Sequence, residues 1–287
     1  MLLKYEKMKI KVITSYKPGN WQIYGKKGIE SMAENLPSTI DLVVYAEEAI
    51  PDCNYSRITW LDLNTVEPKL NEFKTRHLNN KMAHGKTKDK PGFLWDAVRF
   101  SNKVFCVINA VRNSKEYDYV IWLDADTYTF RPVPSNFIEG LCLKNTMLTY
   151  LGRENPKLND GGRYPECGFV CYNLNHPEIL NFINTWESLY TKDTIFEIAE
   201  WHDSYVFWHL VKKFRATKNI EVNDIGYWKG VKGHHVFVNS ELGLYIDHMK
   251  GKRKTKGTSA RNDLRQITDQ SPANVWNIDY WKNAPQS

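Results

Sequence analysis

Short apolar runs alternate with amphipathic segments along the first half of the chain. Residues 9–16, 40–45 and 57–61 are rich in β-branched and aromatic side chains, and each run predicts a strand. Apolar positions between residues 28 and 36 predict a helix that joins the first two strands. Because parallel strands need a crossover connection, this order of elements predicts a largely parallel sheet.

The alternation continues through the middle of the chain. Residues 93–111 place apolar side chains on one broad face and predict a long helix, which leads into a strand at residues 119–123. A further strand is predicted at residues 146–150 and a buried helix at residues 205–211. The polar stretch of residues 81–90 predicts a flexible loop that can act as a lid. The fold class is therefore α/β.

Two carboxylates follow the strand of residues 119–123. Asp124 and Asp126 are one residue apart, so strand alternation points them to the same side. Hard anionic oxygens in this arrangement suit Mg²⁺ or Mn²⁺, which can hold a nucleotide diphosphate and neutralise the charge of the leaving group. Acidic residues also close strands simply as turn formers. The pair predicts group transfer from a nucleotide donor.

A second motif lies late in the chain, after a short apolar strand predicted at residues 243–246. It has the pattern His-x-x-Gly-x-x-Lys, with His248, Gly251 and Lys254. A neutral imidazole is a good ligand for Mn²⁺, a glycine lets backbone N–H groups approach phosphate, and a lysine supplies a point charge for a diphosphate. On its own, such a histidine more often packs in the core or lies at the surface, so the motif gains its meaning from the two carboxylates upstream.

Together, the Asp-x-Asp pair and the late motif resemble the donor site of GT-A glycosyltransferases, in particular family 8-like nucleotide-sugar transferases. In that family the two aspartates and the histidine share the metal, which implies that Asp124, Asp126 and His248 bind Mn²⁺ or Mg²⁺ here. The sequence departs from the family pattern because no Pro-Trp follows Lys254 and basic residues surround the motif. These basic residues are Lys250, Lys252, Arg253, Lys256, Arg261 and Arg265.

The resemblance implies a GT-A, Rossmann-like architecture: a mixed, mostly parallel central sheet flanked by helices. No linker rich in Pro, Gly or Ser divides the chain. We therefore expect one GT-A domain over residues 1–287, in which residues 240–287 form a basic C-terminal extension that closes over the donor site.

The same resemblance assigns donor contacts to the first strand and the long helix. The end of the first strand receives the nucleoside in GT-A enzymes, so Thr14, Ser15 and Tyr16 are candidates for contacting base and ribose. Tyr16 equally suits a role as a core aromatic. Arg99 and Lys103 stand four residues apart, hence on one side of the predicted helix, and can reach a common anion. An amphipathic helix also carries such cations simply on its solvated face.

Two acidic residues are candidates for the acceptor side and for catalysis. Glu166 precedes the glycine and apolar run of a predicted loop and strand, where it can contact a sugar hydroxyl. Asp203 lies at the start of the helix of residues 205–211, beneath the anomeric carbon or acceptor hydroxyl if the resemblance holds. Asp203 or Ser204 can alternatively cap that helix. Trp201 can supply a flat apolar platform for a sugar ring.

The composition constrains the cellular location of the protein more than it constrains the reaction. The 287 residues carry a net charge of +6 with a pI of about 8.9, which suits an anionic nucleotide sugar and equally a nucleic acid or an anionic membrane surface. No apolar run approaches membrane-spanning length and no signal peptide is evident, so we expect a soluble, cytoplasmic protein. The five cysteines lack zinc-site spacing and are expected to be reduced thiols.

The interpretation that accounts for most of these features is a metal-dependent glycosyltransferase. It moves a sugar from a nucleotide-diphosphate sugar, with UDP and retention of configuration implied by the resemblance, to a glycan or other hydroxyl acceptor. One alternative uses the same donor but modifies a hydroxylated base in nucleic acid, which steep salt dependence of binding would reveal. The others are a non-catalytic nucleotide-sugar-binding protein and, as a residual possibility, a nucleotidyltransferase.

Overall fold

Strands and helices alternate through most of the chain. A computed structural model describes residues 8–53, 55–153, 164–226, 235–264 and 278–286. The strands are β1 (Ile10–Tyr16), β2 (Asp41–Ala46), β3 (Ile58–Asp62), β4 (His84–Lys86), β5 (Pro91–Asp96), β6 (Tyr119–Leu123), β7 (Thr127–Thr129), β8 (Leu148–Leu151), β9 (Glu166–Asn173), β10 (Val222–Asp224) and β11 (Ile246–His248). The helices are α1 (Lys26–Asn35), α2 (Leu63–Val66), α3 (Pro68–Arg76), α4 (Ala97–Arg112), α5 (Ser135–Leu141), α6 (Ile179–Thr191), α7 (Asp203–Lys218), α8 (Arg253–Lys256) and α9 (Asp279–Lys282).

Seven strands form the central sheet, in the order β10-β8-β9-β6-β1-β2-β3. Strand β1 pairs in parallel with β2 and β6, and β2 pairs in parallel with β3. Strand β9 is antiparallel to its neighbours β6 and β8, and β8 is parallel to β10. The predicted mixed, mostly parallel sheet flanked by helices is therefore confirmed.

Both faces of the sheet are covered by apolar side chains. Strand alternation sends Ile13 and Trp122 into the same core as α4, α6 and α7, whereas Val12 and Ile121 face the core that contains α1. Parallel strands with helices on both faces are buried on both sides, which explains their continuous apolar sequences. The consequence for function is that the polar chemistry must lie at the ends of the strands.

The first elements lie within two residues of their predicted positions, but later predictions contain errors. Residues 93–96 belong to β5 and not to a helix, because the Asp96 carboxylate accepts a hydrogen bond from the Arg99 N–H and starts α4 at Ala97. Part of the predicted flexible loop is β4, which pairs with β5. The strand expected at residues 243–246 begins only at Ile246, after a 3₁₀ turn.

The C-terminal segment packs onto the rest of the protein at two places. Strand β11 is antiparallel to β7, which follows the Asp-x-Asp pair. In α9, the Tyr280 ring stacks on Phe130 with the ring centroids 4.1 Å apart, and the buried Trp281 packs edge-on against the same ring. Of the basic residues named above, Arg265 lies outside the described residues. Within the described ranges, no helix combines the length and the apolarity that a membrane crossing requires.

Candidate active site

A cavity of about 870 Å³ opens at the edge of the sheet where β1, β2 and β6 end. Lys17, Glu47 and Asp124, the residues that directly follow these three strands, line it. Open α/β sheets bind ligands at this edge because the loops after parallel strands converge there. The cavity also contains side chains from α4, from the start of α7 and from the segment after β11.

Asp124, Asp126 and His248 come together at this cavity. The antiparallel ladder of β7 and β11 places His248 opposite Thr127, and the Met249 N–H donates to the Asp126 carbonyl at 2.8 Å. The His248 Nε2 lies 3.3 Å from Asp126 Oδ1 and 3.7 Å from Asp124 Oδ2. One ligand atom from each of the three side chains falls within 4.8 Å of the others. The three predicted metal ligands therefore converge although they come from two distant parts of the chain.

Two glycines let the surrounding backbone approach this cluster. A Cβ at Gly28 in α1 would overlap the carbonyl oxygens of Ala125 and Thr127, so α1 packs directly on the loop that carries the carboxylates. A Cβ at Gly168 in β9 would lie 2.7 Å from His248 Cε1. The imidazole can therefore occupy this position only because residue 168 is a glycine.

Each of the two carboxylates forms an ion pair with a lysine. Lys103 Nζ lies 2.9 Å from Asp124 Oδ1, and Lys254 Nζ lies 2.8 Å from Asp126 Oδ2. The Trp122 indole N–H also donates to Asp124 Oδ1, at 2.6 Å. Each carboxylate thus gives one oxygen to a lysine and presents the other toward His248 Nε2.

The charges of this cluster stabilise one another. Burial alone would raise the pKa of the Asp126 carboxyl, but His248 and Lys254 outweigh burial and lower it from its usual value. Burial likewise lowers the pKa of His248, and the adjacent Asp126 reverses the direction and raises it. Both carboxylates therefore have cationic neighbours, and His248 Nδ1 is buried without a hydrogen-bond partner among the described residues.

Lys103 connects this cluster to Asp203. Its ammonium lies 2.8 Å from Asp203 Oδ2, and it donates to the Cys167 carbonyl at 2.6 Å. Burial would lower the pKa of Lys103, but Asp124 and Asp203 raise it above its ordinary value. Within the described residues, the ammonium bridges two carboxylates of the cavity, and the predicted contact of Lys103 with the donor stays a prediction.

Asp203 is the first residue of α7 and lines the cavity. The N-cap is His202, and no side chain of the described residues makes a capping hydrogen bond there, so the capping alternative for Asp203 and Ser204 is wrong. Burial would raise the pKa of the Asp203 carboxyl, but Lys103 lowers it. Trp201 is only 1% exposed, so it cannot serve as a sugar platform.

Glu166 lies on the other side of His248, at the start of β9. Its Oε2 lies 2.8 Å from Arg153 and 2.6 Å from Lys250. Its Oε1 lies 3.9 Å from His248 Nδ1. Burial would raise the pKa of this carboxyl, but Lys250, His248 and Arg153 outweigh burial and lower it. Glu166 lines the cavity as a charged group, and its predicted contact with a sugar hydroxyl stays a prediction.

Of the three residues at the end of β1 that are predicted to contact the nucleoside, one lines the cavity. Ser15 lines the cavity and donates to Glu47 Oε1 at 2.8 Å. Thr14 and Tyr16 are buried, and Tyr16 packs against Trp21 and Trp60. Neither Thr14 nor Tyr16 is among the described residues that line the cavity, so contacts from them to a nucleoside stay predictions.

The remaining predicted donor contacts lie at the cavity. Arg99 is exposed at the start of α4 and lines it, as do Gly251 and Lys254. Gly251 has a φ of 65°, a left-handed conformation that glycine adopts without strain. The ammonium of Lys254 also lies 4.5 Å from the centroid of the Tyr24 ring.

Sequence reasoning missed several charged residues of the cavity. Glu47 and Lys74 line it near Ser15, and Arg153 lines it beside Glu166. Burial raises the pKa of Glu47 to about 7, although the Ser15 hydroxyl opposes the shift. Glu47 directly follows a predicted parallel strand, and this position in the sequence indicated that it lies at this edge of the sheet. Lys74 and Arg153 carry no comparable signal.

Comparison with known proteins gives a likeness in fold without a likeness in sequence. No family model matches the chain, and no curated protein matches it. The solved structure of the bifunctional glycosyltransferase WbbM superimposes with a TM-score of 0.51 over 90% of this chain, at 13% identity. The match covers 49% of the WbbM chain, so this protein spans about half of that length.

A second solved structure is similar to a lower degree. A glycosyltransferase involved in the glycosylation of the major capsid of PBCV-1 matches over 87% of this chain and 96% of its own, with 13% identity and a TM-score of 0.43. At such identities a likeness concerns architecture, and function has to be argued from the site. The likeness to WbbM therefore shows that the chain shares a mixed α/β fold with a solved glycosyltransferase, and the resemblance predicted from its motifs is confirmed at the level of fold.

Proposed function

We propose that the protein is a glycosyltransferase that moves a sugar from a nucleotide-diphosphate sugar to an acceptor hydroxyl with the help of Mn²⁺ or Mg²⁺. The observation that carries the proposal is the convergence of Asp124, Asp126 and His248 in a cavity at the end of the sheet. The glycosyltransferase fold of WbbM supports it. A protein that only binds sugar has little use for such a ligand set.

The chemistry of the three side chains fits a hard or borderline divalent cation. Asp124 Oδ2, Asp126 Oδ1 and His248 Nε2 are the atoms that would hold it, because lysines occupy the outer carboxylate oxygens. Two carboxylates favour Mg²⁺ or Mn²⁺, and the imidazole favours Mn²⁺ of the two. When bound, the ion supplies positive charge that stabilises the departing diphosphate.

The chain's own cations complete the diphosphate site in this proposal. Arg99 and Lys254 line the cavity, and Gly251 provides a backbone position without a side chain. Lys254 has to exchange part of its contact with Asp126 for the phosphate. Ser15 and Glu47 mark the nucleoside end, and UDP is proposed from the resemblance to family 8.

The acceptor end is assigned to Asp203 and Glu166. Because Lys103 lowers the pKa of Asp203, this carboxylate is a weak general base near neutral pH. A weak base favours a role in orienting the acceptor hydroxyl or stabilising positive charge at the anomeric carbon. This supports retention of configuration, which the late His-x-x-Gly-x-x-Lys motif also suggests.

We also propose that residues 1–287 act as one domain whose segment 240–287 closes over the donor site. His248 and Lys254 come from that segment and line the cavity. The Tyr280 hydroxyl donates to Asp247 Oδ2 at 2.7 Å, beside His248. The described C-terminal residues are thus tied to the metal-binding strand.

A thermal-shift panel tests the proposal. Ligands that bind the folded state raise the melting temperature, and the increase grows with the logarithm of ligand concentration over the dissociation constant. We expect a Mn²⁺-dependent increase with one class among UDP-, GDP- and dTDP-sugars, none with CMP-sugars, which carry a single phosphate, and the loss of this increase in Asp126→Asn. Equal increases with and without Mn²⁺, or no increase with any nucleotide sugar, would contradict the proposed function.

A further inference from the structure

A row of aromatic rings runs from the cavity onto one side of α7. We call it the aromatic strip, and its members are Phe93, Tyr164, His202, Tyr205 and Trp208. The Tyr164 ring lies 5.4 Å from His202, 5.2 Å from Tyr205 and 5.6 Å from Trp208, centroid to centroid. Phe93 lies 5.9 Å from His202. The five rings therefore form one continuous group.

The aromatic strip is continuous with the acceptor end of the cavity. Phe93, Tyr164 and His202 line the cavity, and His202 directly precedes Asp203. Tyr205 and Trp208 are three residues apart, hence on one side of α7. The ammonium of Lys212, one turn further, lies 4.1 Å from the Trp208 ring centroid. From Asp203 to Lys212 the helix rises by about 14 Å.

The strip is accessible to a ligand. Phe93 is 58% exposed, and Tyr164, Tyr205 and Trp208 are half-buried, whereas His202 is buried and supports the other rings from below. Its members are chiefly Tyr, Trp and His, whose rings are apolar and whose edges can form hydrogen bonds. A saccharide offers matching apolar C–H faces and hydroxyl edges, whereas an acyl chain would be better served by an aliphatic groove.

Charge around the strip argues for a neutral ligand. The Glu200 carboxylate accepts a hydrogen bond from the Tyr164 hydroxyl at 2.9 Å, and its other oxygen lies 2.9 Å from His202 Nε2. Asp203 follows at the cavity end. Single-stranded nucleic acids also stack on aromatic rings, but their phosphates need a cationic track alongside. Along the described part of the strip, a phosphate backbone would meet Lys212 at the Trp208 ring and then the carboxylates of Glu200 and Asp203, and not a continuous cationic track.

We propose that the aromatic strip binds the body of a neutral oligosaccharide acceptor and directs its terminal hydroxyl toward Asp203. This inference rests on the proposed function, because it identifies the acceptor class of the same site. Several sugar units can contact the strip at once, so affinity should rise with chain length from mono- to tetrasaccharide.

An oligosaccharide array probed with the full chain tests this inference. It carries neutral oligosaccharides, acidic oligosaccharides and single-stranded DNA. We expect binding to neutral chains, and about tenfold weaker binding after Trp208→Ala or Tyr205→Ala, the size of effect that one lost ring contact can produce. Tyr117→Ala, which removes a half-buried tyrosine that is not part of the cavity lining, is the matched control. Trp208→Tyr keeps a ring and should retain most of the affinity.

Fluorine NMR of 5-fluorotryptophan protein gives a readout on the unmodified sequence. The Trp208 resonance is identified by its absence in Trp208→Phe, and it should shift when a neutral tetrasaccharide that binds on the array is added. Binding to no neutral chain, equal affinity in Trp208→Ala, an unmoved Trp208 resonance, or preference for DNA or acidic chains would each overturn the inference.

Donor hydrolysis separates this inference from the proposed function. Release of nucleoside diphosphate from a nucleotide sugar, with water as acceptor, does not require the strip. If the wild type hydrolyses a nucleotide sugar but binds no oligosaccharide, the inference about the aromatic strip is wrong and the proposed function stands. Absence of hydrolysis with every nucleotide sugar contradicts the glycosyltransferase instead.

Discussion

At the scale of single residues, the side chain that organises the cavity is Lys103. Its ammonium contacts Asp124 at 2.9 Å and Asp203 at 2.8 Å, so one cation balances a proposed metal ligand and a proposed acceptor residue. A largely buried charge of this kind is tolerated because both partners and the Cys167 carbonyl satisfy it. The two ends of the proposed reaction are therefore joined through one side chain.

Asp203→Asn tests this link. The amide keeps the shape and removes the charge, and Asp124 still balances Lys103, so we expect transfer to slow by at least about tenfold, equivalent to about 1.4 kcal/mol of transition-state stabilisation. Affinity for Mn²⁺ with nucleoside diphosphate should change little. Steady-state kinetics and calorimetric titration measure the two effects. Asp193→Asn, at an ion pair with Arg76 that is not part of the cavity lining, is the control. Equal loss of both properties in Asp203→Asn would contradict the division of roles.

Glu47 gives the protein a pH dependence of known sign. Burial raises its pKa from 4.5 to about 7, so the native state holds a proton that the unfolded chain releases at lower pH. The contribution of Glu47 to the free energy of unfolding therefore falls as pH rises between about 4.5 and 7. Glu47→Gln removes this contribution. The melting temperature of the variant minus that of the wild type should therefore increase as pH rises through this window. Parallel melting curves at every pH would contradict the assignment.

At the scale of elements, the metal-ligand cluster depends on how closely strands and helices approach. The pairing of β11 with β7 places His248 beside residues more than a hundred positions earlier in the sequence. Helix α1 contacts the loop of the carboxylates through Gly28, and β9 approaches His248 through Gly168. The geometry of the ligands is therefore fixed by backbone packing as well as by their own hydrogen bonds.

Gly168→Ala tests the packing of β9 on His248. The new methyl group would lie 2.7 Å from His248 Cε1 and must displace the imidazole. We expect the free energy of unfolding to fall by about 1–3 kcal/mol, as overpacking does, and Mn²⁺ affinity to weaken. Urea unfolding and Mn²⁺ titration measure these changes.

Gly140→Ala is the matched control, since a Cβ in α5 at that position meets no atom within 4 Å. That variant should be neutral or up to about 1 kcal/mol more stable. Unchanged Mn²⁺ affinity in Gly168→Ala would contradict the role given to the glycine.

The sequence predicted those strands and helices that can be recognised from their own residues. Apolar runs located β1, β2 and β6 because these strands are buried on both faces, and the end of β6 placed Asp124 correctly. The edge strand β3 is only partly buried and was located by its β-branched and aromatic residues. The error at residues 93–96 arose because the apolar pattern continues smoothly from β5 into α4. Strand β4 was missed because it is a three-residue strand defined only by its partner.

At the scale of the whole molecule, the cavity gathers residues from Ser15 to Lys254 at one edge of the sheet. The sequence predicted this edge, because the loops after parallel strands converge there. It did not predict the ion pairs of Lys103 or Glu166, since partners so far apart in sequence meet only in the folded chain. The acceptor class was unreadable for the same reason, because the aromatic strip combines β5, Tyr164 and α7.

The central claim is metal-dependent glycosyl transfer from a nucleotide donor. Its most direct test measures release of nucleoside diphosphate from UDP-, GDP- and dTDP-sugars by the wild type and by Asp126→Asn, each with Mn²⁺ and with chelator. We predict release by the wild type with one nucleotide class, abolished by chelator and reduced at least about a hundredfold, or 2.7 kcal/mol, in the variant. Release that persists in chelator or in Asp126→Asn, or no release from any donor, would contradict the account.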